Sequence, residues 1–171
     1  ADWRRLTSPA SSSAAEVVAE RLIAERGLAD LGLGRASLVR TGRLALSSGA
    51  VVRFAQEHRG VPVLGRGAAV VVGHDGRVRT AMVDVARALT VEVTPTLSVD
   101  AALARAHAGF PFGLGPLVRS ELVVVARDAD AGGRLAHRLV VRDARGGGEV
   151  LVDAHDGALL GYRTLTSHAR G

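Results

Sequence analysis

The stretch Val51–Thr80, VVRFAQEHRGVPVLGRGAAVVVGHDGRVRT, constrains the fold most. It reads as strand-forming segments separated by a Gly-Pro break and a tight Asp-Gly turn. In the first segment Val52 and Phe54 fall on one face and Arg53 and Glu57 on the other, the period-2 pattern of a half-buried strand. Gly65 and Gly67 inside the next segment predict a bulge or bend. Asp75-Gly76 predicts a two-residue type I′ hairpin, with positive φ at both positions. The tripeptide His74-Asp75-Gly76 recurs as His155-Asp156-Gly157, which points to one plan used twice.

The rest of the chain fits that plan. Ser13 with Glu16 makes a capping-box pattern, and Val17, Val18, Leu22 and Ile23 at helical spacing predict a helix over 14–26, ended by Gly27. Leu31-Gly32-Leu33-Gly34 reads as a structural turn, because it lacks the pattern of a phosphate loop. Four strands are expected at Ser37–Leu46, Ala50–Glu57, Val61–Val72 and Arg77–Val85. Their links are short, so the neighbours are antiparallel.

Thr94-Pro95-Thr96 is a natural boundary. Ser98 then caps a second helix whose apolar side holds Ala102, Leu103, Ala106 and Phe110, with Gly109 as its stop. Four more strands follow at Glu121–Arg127, Arg134–Arg142, Glu149–Ala154 and Ala158–Thr164. The expected fold class is α+β: two cystatin-like units, each a helix packed on an antiparallel β-meander sheet. The expected organisation is a lead-in over 1–12, a first unit over 13–95, a second over 96–165 and a tail over 166–171.

Composition narrows the function. At 171 residues and 47% hydrophobic content the chain has ample material for packed cores, built from Val, Leu and Ala because only 3% is aromatic. There is no cysteine, which excludes disulfides, thiolate metal sites and a cysteine nucleophile. The formal charge is +5 and all 22 basic residues are arginine. They are scattered, and few aromatics are present to stack on bases, so nucleic-acid binding is disfavoured.

No HExxH, nucleophile elbow, kinase signature or phosphate loop is present, and the six histidines lack metal-ligand spacing. No cofactor, metal or enzymatic activity is expected. Asp75, Gly76, Asp156 and Gly157 read as structural turn residues. His137, on an apolar strand face, reads as a core histidine with a hydrogen-bond partner. Arg53 has two readings, an ion pair across the sheet or a contact to a partner, and its spacing does not choose between them. A scaffold or binding protein is favoured over a catalyst.

The residues that carry a family likeness are Val52-Arg53-Phe54-Ala55-Gln56 and Gly60-Val61-Pro62-Val63-Leu64-Gly65, followed by Asp75-Gly76-Arg77-Val78. This run resembles the FTP motif in the propeptides of fungalysin and thermolysin-like zinc metalloproteases, with His58 where an aromatic tyrosine is common. Leu135-Ala136-His137-Arg138-Leu139-Val140-Val141 and Val152-Asp153-Ala154-His155-Asp156-Gly157 resemble the PepSY domain that follows FTP in such propeptides. The resemblance implies a non-catalytic, secreted or periplasmic propeptide, its leader already removed. It implies an intramolecular chaperone for folding, and an inhibitor of the protease until cleavage. The implied partner is a cognate zinc metalloprotease catalytic domain, in cis before cleavage and non-covalent afterwards, with no nucleic acid and no membrane. The alternative is a free-standing secreted binding or inhibitor module of the same type. The residues expected to bind the partner are Arg53, Phe54, Gln56, Pro62 and Val63, with His168 and Ala169 at or near the processing bond.

Overall fold

The computed structural model describes residues 15–26, 37–110, 113–127, 132–142 and 147–165. The expected lead-in, the Ser13 and Gly27 caps, the Leu31–Gly34 turn, Pro111 and the tail with His168 and Ala169 lie outside the described residues. The elements run α1 (Ala15–Arg26), β1 (Ser37–Leu46), β2 (Gly49–His58), β3 (Val61–Gly73), β4 (Val78–Asp84), α2 (Val99–Gly109), β5 (Leu117–Val125), β6 (Arg134–Val141), β7 (Gly148–Asp153) and β8 (Leu159–Thr164).

The chain divides into two compact units, Ala1–Leu89 and Thr90–Gly171. The strands among the described residues are ordered β1-β2-β3-β5-β6-β7-β8 in one eight-stranded sheet, with β4 paired to β3 off this path. This overturns the expected pair of cystatin-like units, each with a helix on its own meander. Tight turns fix which strands are neighbours across a hairpin. They do not fix which strand, distant in sequence, meets the free donors and acceptors of an edge. The repeated HDG turn was evidence of the first kind only.

In the first unit, β1, β2, β3 and β4 pair antiparallel with their chain neighbours. Val52 and Phe54 of β2 and Ala68, Val70 and Val72 of β3 point to one face, where Val18, Ala19 and Leu22 of α1 and Val78 of β4 close a buried core. Arg40 and Arg43 of β1 reach Glu20 and Glu16 of α1 on the same side, at 3.0 and 3.6 Å. These are surface pairs and orient the helix more than they stabilise it.

Turn chemistry differs from expectation at one point. The two-residue hairpin with positive φ at both positions is Arg59-Gly60, at 49° and 82°, joining β2 to β3. At His74-Asp75-Gly76 only Gly76 takes positive φ, +72°. Gly73 N–H donates to the Arg77 carbonyl and Gly76 N–H to the Gly73 carbonyl, at 2.8 and 2.9 Å. That is a three-residue loop ending in a left-handed glycine, so Asp75 needs no positive φ.

In the second unit, β5–β6, β6–β7 and β7–β8 also pair antiparallel. The Ser98 hydroxyl accepts from the Ala101 N–H at 3.2 Å and starts α2. Ala102 and Ala106 let the helix lie close to Leu139 and Val141 of β6 and Val150 and Val152 of β7. The rings of Phe110 and Tyr162 meet with centroids 4.9 Å apart.

Candidate functional site

The first unit's sheet has a second face, opposite α1. Because β2 alternates, Val51, Arg53 and Ala55 turn away from the core that Val52 and Phe54 enter. Cross-strand partners share a face. Opposite these residues stand Leu44, Gly42 and Val39 on β1, and Val71, Ala69 and Gly67 on β3. Beyond Ala69 lies Met82 on β4. Val39, Leu44 and Met82 are 42, 52 and 57% exposed, high for large apolar side chains. The face is thus flat and apolar, floored by small residues, with the exposed Arg53 in its middle.

No carboxylate on β1 or β3 stands opposite Arg53, since its register partners are Gly42 and Ala69. The cross-sheet ion pair is therefore not formed there. The charges at the rim are placed elsewhere: Asp84 is ion-paired with Arg66, and Glu57 lies about 13 Å along β2 from Arg53, at ~3.3 Å per residue.

The other predicted residues separate by direction. Phe54 and Val63 are buried, at 6 and 3% exposure. Gln56, 2% exposed, uses its whole amide on one backbone unit: Nε2 donates to the Ala86 carbonyl and Oε1 accepts from the Ala86 N–H, both at 2.8 Å. It fastens the segment after β4 to the sheet, beside the register shift between Ala55 and Glu57. Pro62 is exposed opposite Glu57, at the second residue of β3 and next to the register shift, where a strand tolerates a proline. The structure thus brings Arg53 and Pro62 to the outer face and sends Phe54, Gln56 and Val63 inward. Sequence reading missed the apolar members of that face, Val39, Leu44 and Met82. The signal was present in β2 and β3, which carry apolar residues at both phases of the alternation.

The HDG turns are built alike. The Asp75 carboxylate accepts from the Arg77 N–H at 3.2 Å and from Arg79 Nη2 at 2.8 Å. The Arg77 N–H, with the positive charge of Arg79 and Arg77, holds Asp75 below the ordinary aspartate value. The Asp156 carboxylate accepts from the Ala158 N–H at 2.8 Å and from Arg134 Nη2 at 2.6 Å. His74 and His155 each place Nε2 against a backbone carbonyl, Ser47 at 3.0 Å and Glu92 at 3.2 Å. Among the described residues no group of three His, Asp or Glu side chains is placed to hold a metal ion.

On β6, His137 is 2% exposed and its Nε2 lies 2.8 Å from the Leu97 carbonyl. A carbonyl only accepts, so the proton sits on Nε2, and Nδ1 is buried without a partner among the described residues. The neighbouring polar network is denser. Glu149, 4% exposed, accepts from Arg138 Nε at 2.7 Å and Arg163 Nη2 at 3.1 Å, and Arg138 also reaches Glu121 at 2.6 Å. Asp153, 3% exposed, accepts from the His155 and Asp156 N–H groups and from Arg134. Burial pushes both carboxyls up. The Arg138 and Arg163 guanidinium groups outweigh it at Glu149, and the backbone donors with Arg134 outweigh it at Asp153. Both titrate below their ordinary values.

Residues 46–84 match the family model of the Fungalysin/Thermolysin Propeptide Motif. The likeness read from Val52–Gly65 and Asp75–Val78 is borne out over that span, which takes in β2, β3 and β4 entire. This part of the chain carries the FTP motif of metalloprotease propeptides. Solved structures similar to the chain include the Bacillus megaterium YpeB C-terminal domain, at 14% identity and a TM-score of 0.48, covering 92% of this chain and 67% of that one. No curated protein matches. No helix among the described residues is long and apolar enough to cross a membrane.

Proposed function

We propose that this chain acts as the propeptide of a thermolysin-like zinc metalloprotease, as a folding template for the catalytic domain and as its inhibitor until cleavage. The observation that carries the reading is the motif match at 46–84, because it coincides with three complete strands of the first unit. The second unit, on its resemblance to PepSY, completes the propeptide. In this reading the catalytic groups belong to the protease domain. The partner is the catalytic domain, joined in cis before processing and held non-covalently afterwards, outside the cytoplasm.

The physical logic is linkage. A chain that binds the folded protease and not its unfolded state stabilises the folded state by mass action, and a template that engages early lowers the exposure of aggregation-prone intermediates. Inhibition requires the C-terminal segment to reach the substrate cleft, and this reading takes the processing bond to be at or near His168–Ala169. Mass spectrometry of a processed precursor tests that placement, and a cut far upstream of Thr164 overturns it. The reading as a whole is tested by refolding a thermolysin-like catalytic domain with and without the chain, then assaying proteolysis with the chain added. A higher refolded yield and slower proteolysis are expected. No change in either rejects the reading.

A further inference from the structure

We infer that the outer face of the first unit's sheet, centred on Arg53, is the surface that docks on the protease catalytic domain. The matching patch on the partner is apolar and carries one carboxylate. The inference rests on the propeptide reading and locates its contact.

The core explains the inward residues of β2 and β3, but it does not explain an apolar outer face. Val39, Leu44 and Met82 are exposed by 42 to 57%, and the register places Val51 and Val71 between them. Such a face left in water is a docking or aggregation surface. Arg53 stands in it over Gly42 and Ala69, with no register partner of opposite charge. A guanidinium there blocks indiscriminate apolar pairing, and it rewards a partner that brings a carboxylate in fork geometry.

Size selects among the occupants. Four strands spaced ~4.8 Å apart and five residues of ~3.3 Å give a patch of roughly 300 Å². A stable free complex buries about 800 Å² on each partner. The patch alone is too small to hold a second copy of this chain, and two copies would bring like charges together at Arg53. It suffices as one of two contacts to the catalytic domain, the other being the C-terminal segment in the substrate cleft, because each then raises the effective concentration of the other into the millimolar range.

The test uses the full chain and a thermolysin-like catalytic domain, with binding measured by calorimetry. R53E and M82E are the probes, V118E is the control, and thermal unfolding of every variant is recorded. Val118 is 62% exposed on β5 in the other unit. The expected result is binding by the wild type and V118E, and at least about tenfold weaker binding by R53E and M82E at unchanged unfolding temperature. Wild-type strength in R53E and M82E overturns the docking face while leaving the propeptide reading intact. Absence of binding and of any refolding effect in the wild type overturns both. A wild-type dimer that R53E dissociates in sedimentation assigns the face to a second copy and also overturns the inference.

Discussion

Two residues carry more of the first unit than their chemistry announces. Gln56 satisfies both polar groups of Ala86 from 30 residues away. Replacing it with alanine leaves the half-buried Ala86 N–H and carbonyl without their partner and opens a cavity where the buried Gln56 side chain stood. Each neutral hydrogen bond contributes about 1 kcal/mol and each stranded group costs more. Gln56→Ala should therefore lose about 2–4 kcal/mol in urea unfolding and accelerate amide exchange at Ala86. Gly67 matters for a different reason. Its φ is ordinary, but a Cβ there would lie 2.0 Å from the Phe54 carbonyl oxygen, and backbone cannot swing aside. Gly67→Ala should cost several kcal/mol by overpacking, read in the same titration. Neither role was legible in the sequence. The Gln56 partner is a backbone group with no side-chain signature, and the Gly67 constraint comes from the close approach of β2. Arg53 was legible as outward-facing, but the absence of a carboxylate opposite it depends on register.

At the scale of elements, local chemistry was a good guide where it is self-contained. The Ser98 cap with Asp100 in the first turn starts α2 where the pattern predicts. Ser98→Ala should cost about 1 kcal/mol, measured by thermal unfolding, because one helix-end donor loses its partner. The Arg59-Gly60 hairpin, where the expected type of turn stands at an unexpected place, isolates a different local cost. A Cβ at Gly60 meets nothing within 4 Å, so Gly60→Ala isolates the cost of positive φ. About 1–2 kcal/mol of destabilisation is expected, with no change in the unfolding slope. Legibility failed where irregularity entered. β5 starts at Leu117 rather than Glu121 because the register slips between Leu117 and Arg119 and turns Val118 outward, breaking the alternation. The Asp75 turn has three residues because Gly73 pairs with Arg77, a choice the Asp-Gly dipeptide does not encode. The sheet order was hidden for the same reason at larger range: local turn signals are silent about β4 leaving the strand path.

Over the whole molecule, the two units differ in where they keep their charge, and this predicts how each answers to acid. Among the described residues none of the first unit's carboxylates is buried: Glu20 pairs with Arg40 and Asp84 with Arg66 near the surface, and such pairs contribute little. The second unit buries Glu149 and Asp153, each nearly inaccessible and each held below its ordinary value. The sign follows from linkage. A carboxyl depressed in the folded state contributes stability that is fully present above its unfolded value, about 4, and that is lost as pH falls through the folded value. Between pH 5 and pH 3, amide exchange in β6 and β7 should therefore accelerate well before that in β2 and β3. Glu149→Gln separates this cause from general acid effects. The variant keeps an acceptor for Arg138 but no titrating charge, so it should be less stable at pH 7 and show a flatter loss of stability below pH 5. Equal acceleration in both units, or an unchanged slope in Glu149→Gln, would show that the Arg138–Glu149–Arg163 cluster is not the acid-sensitive part of the molecule.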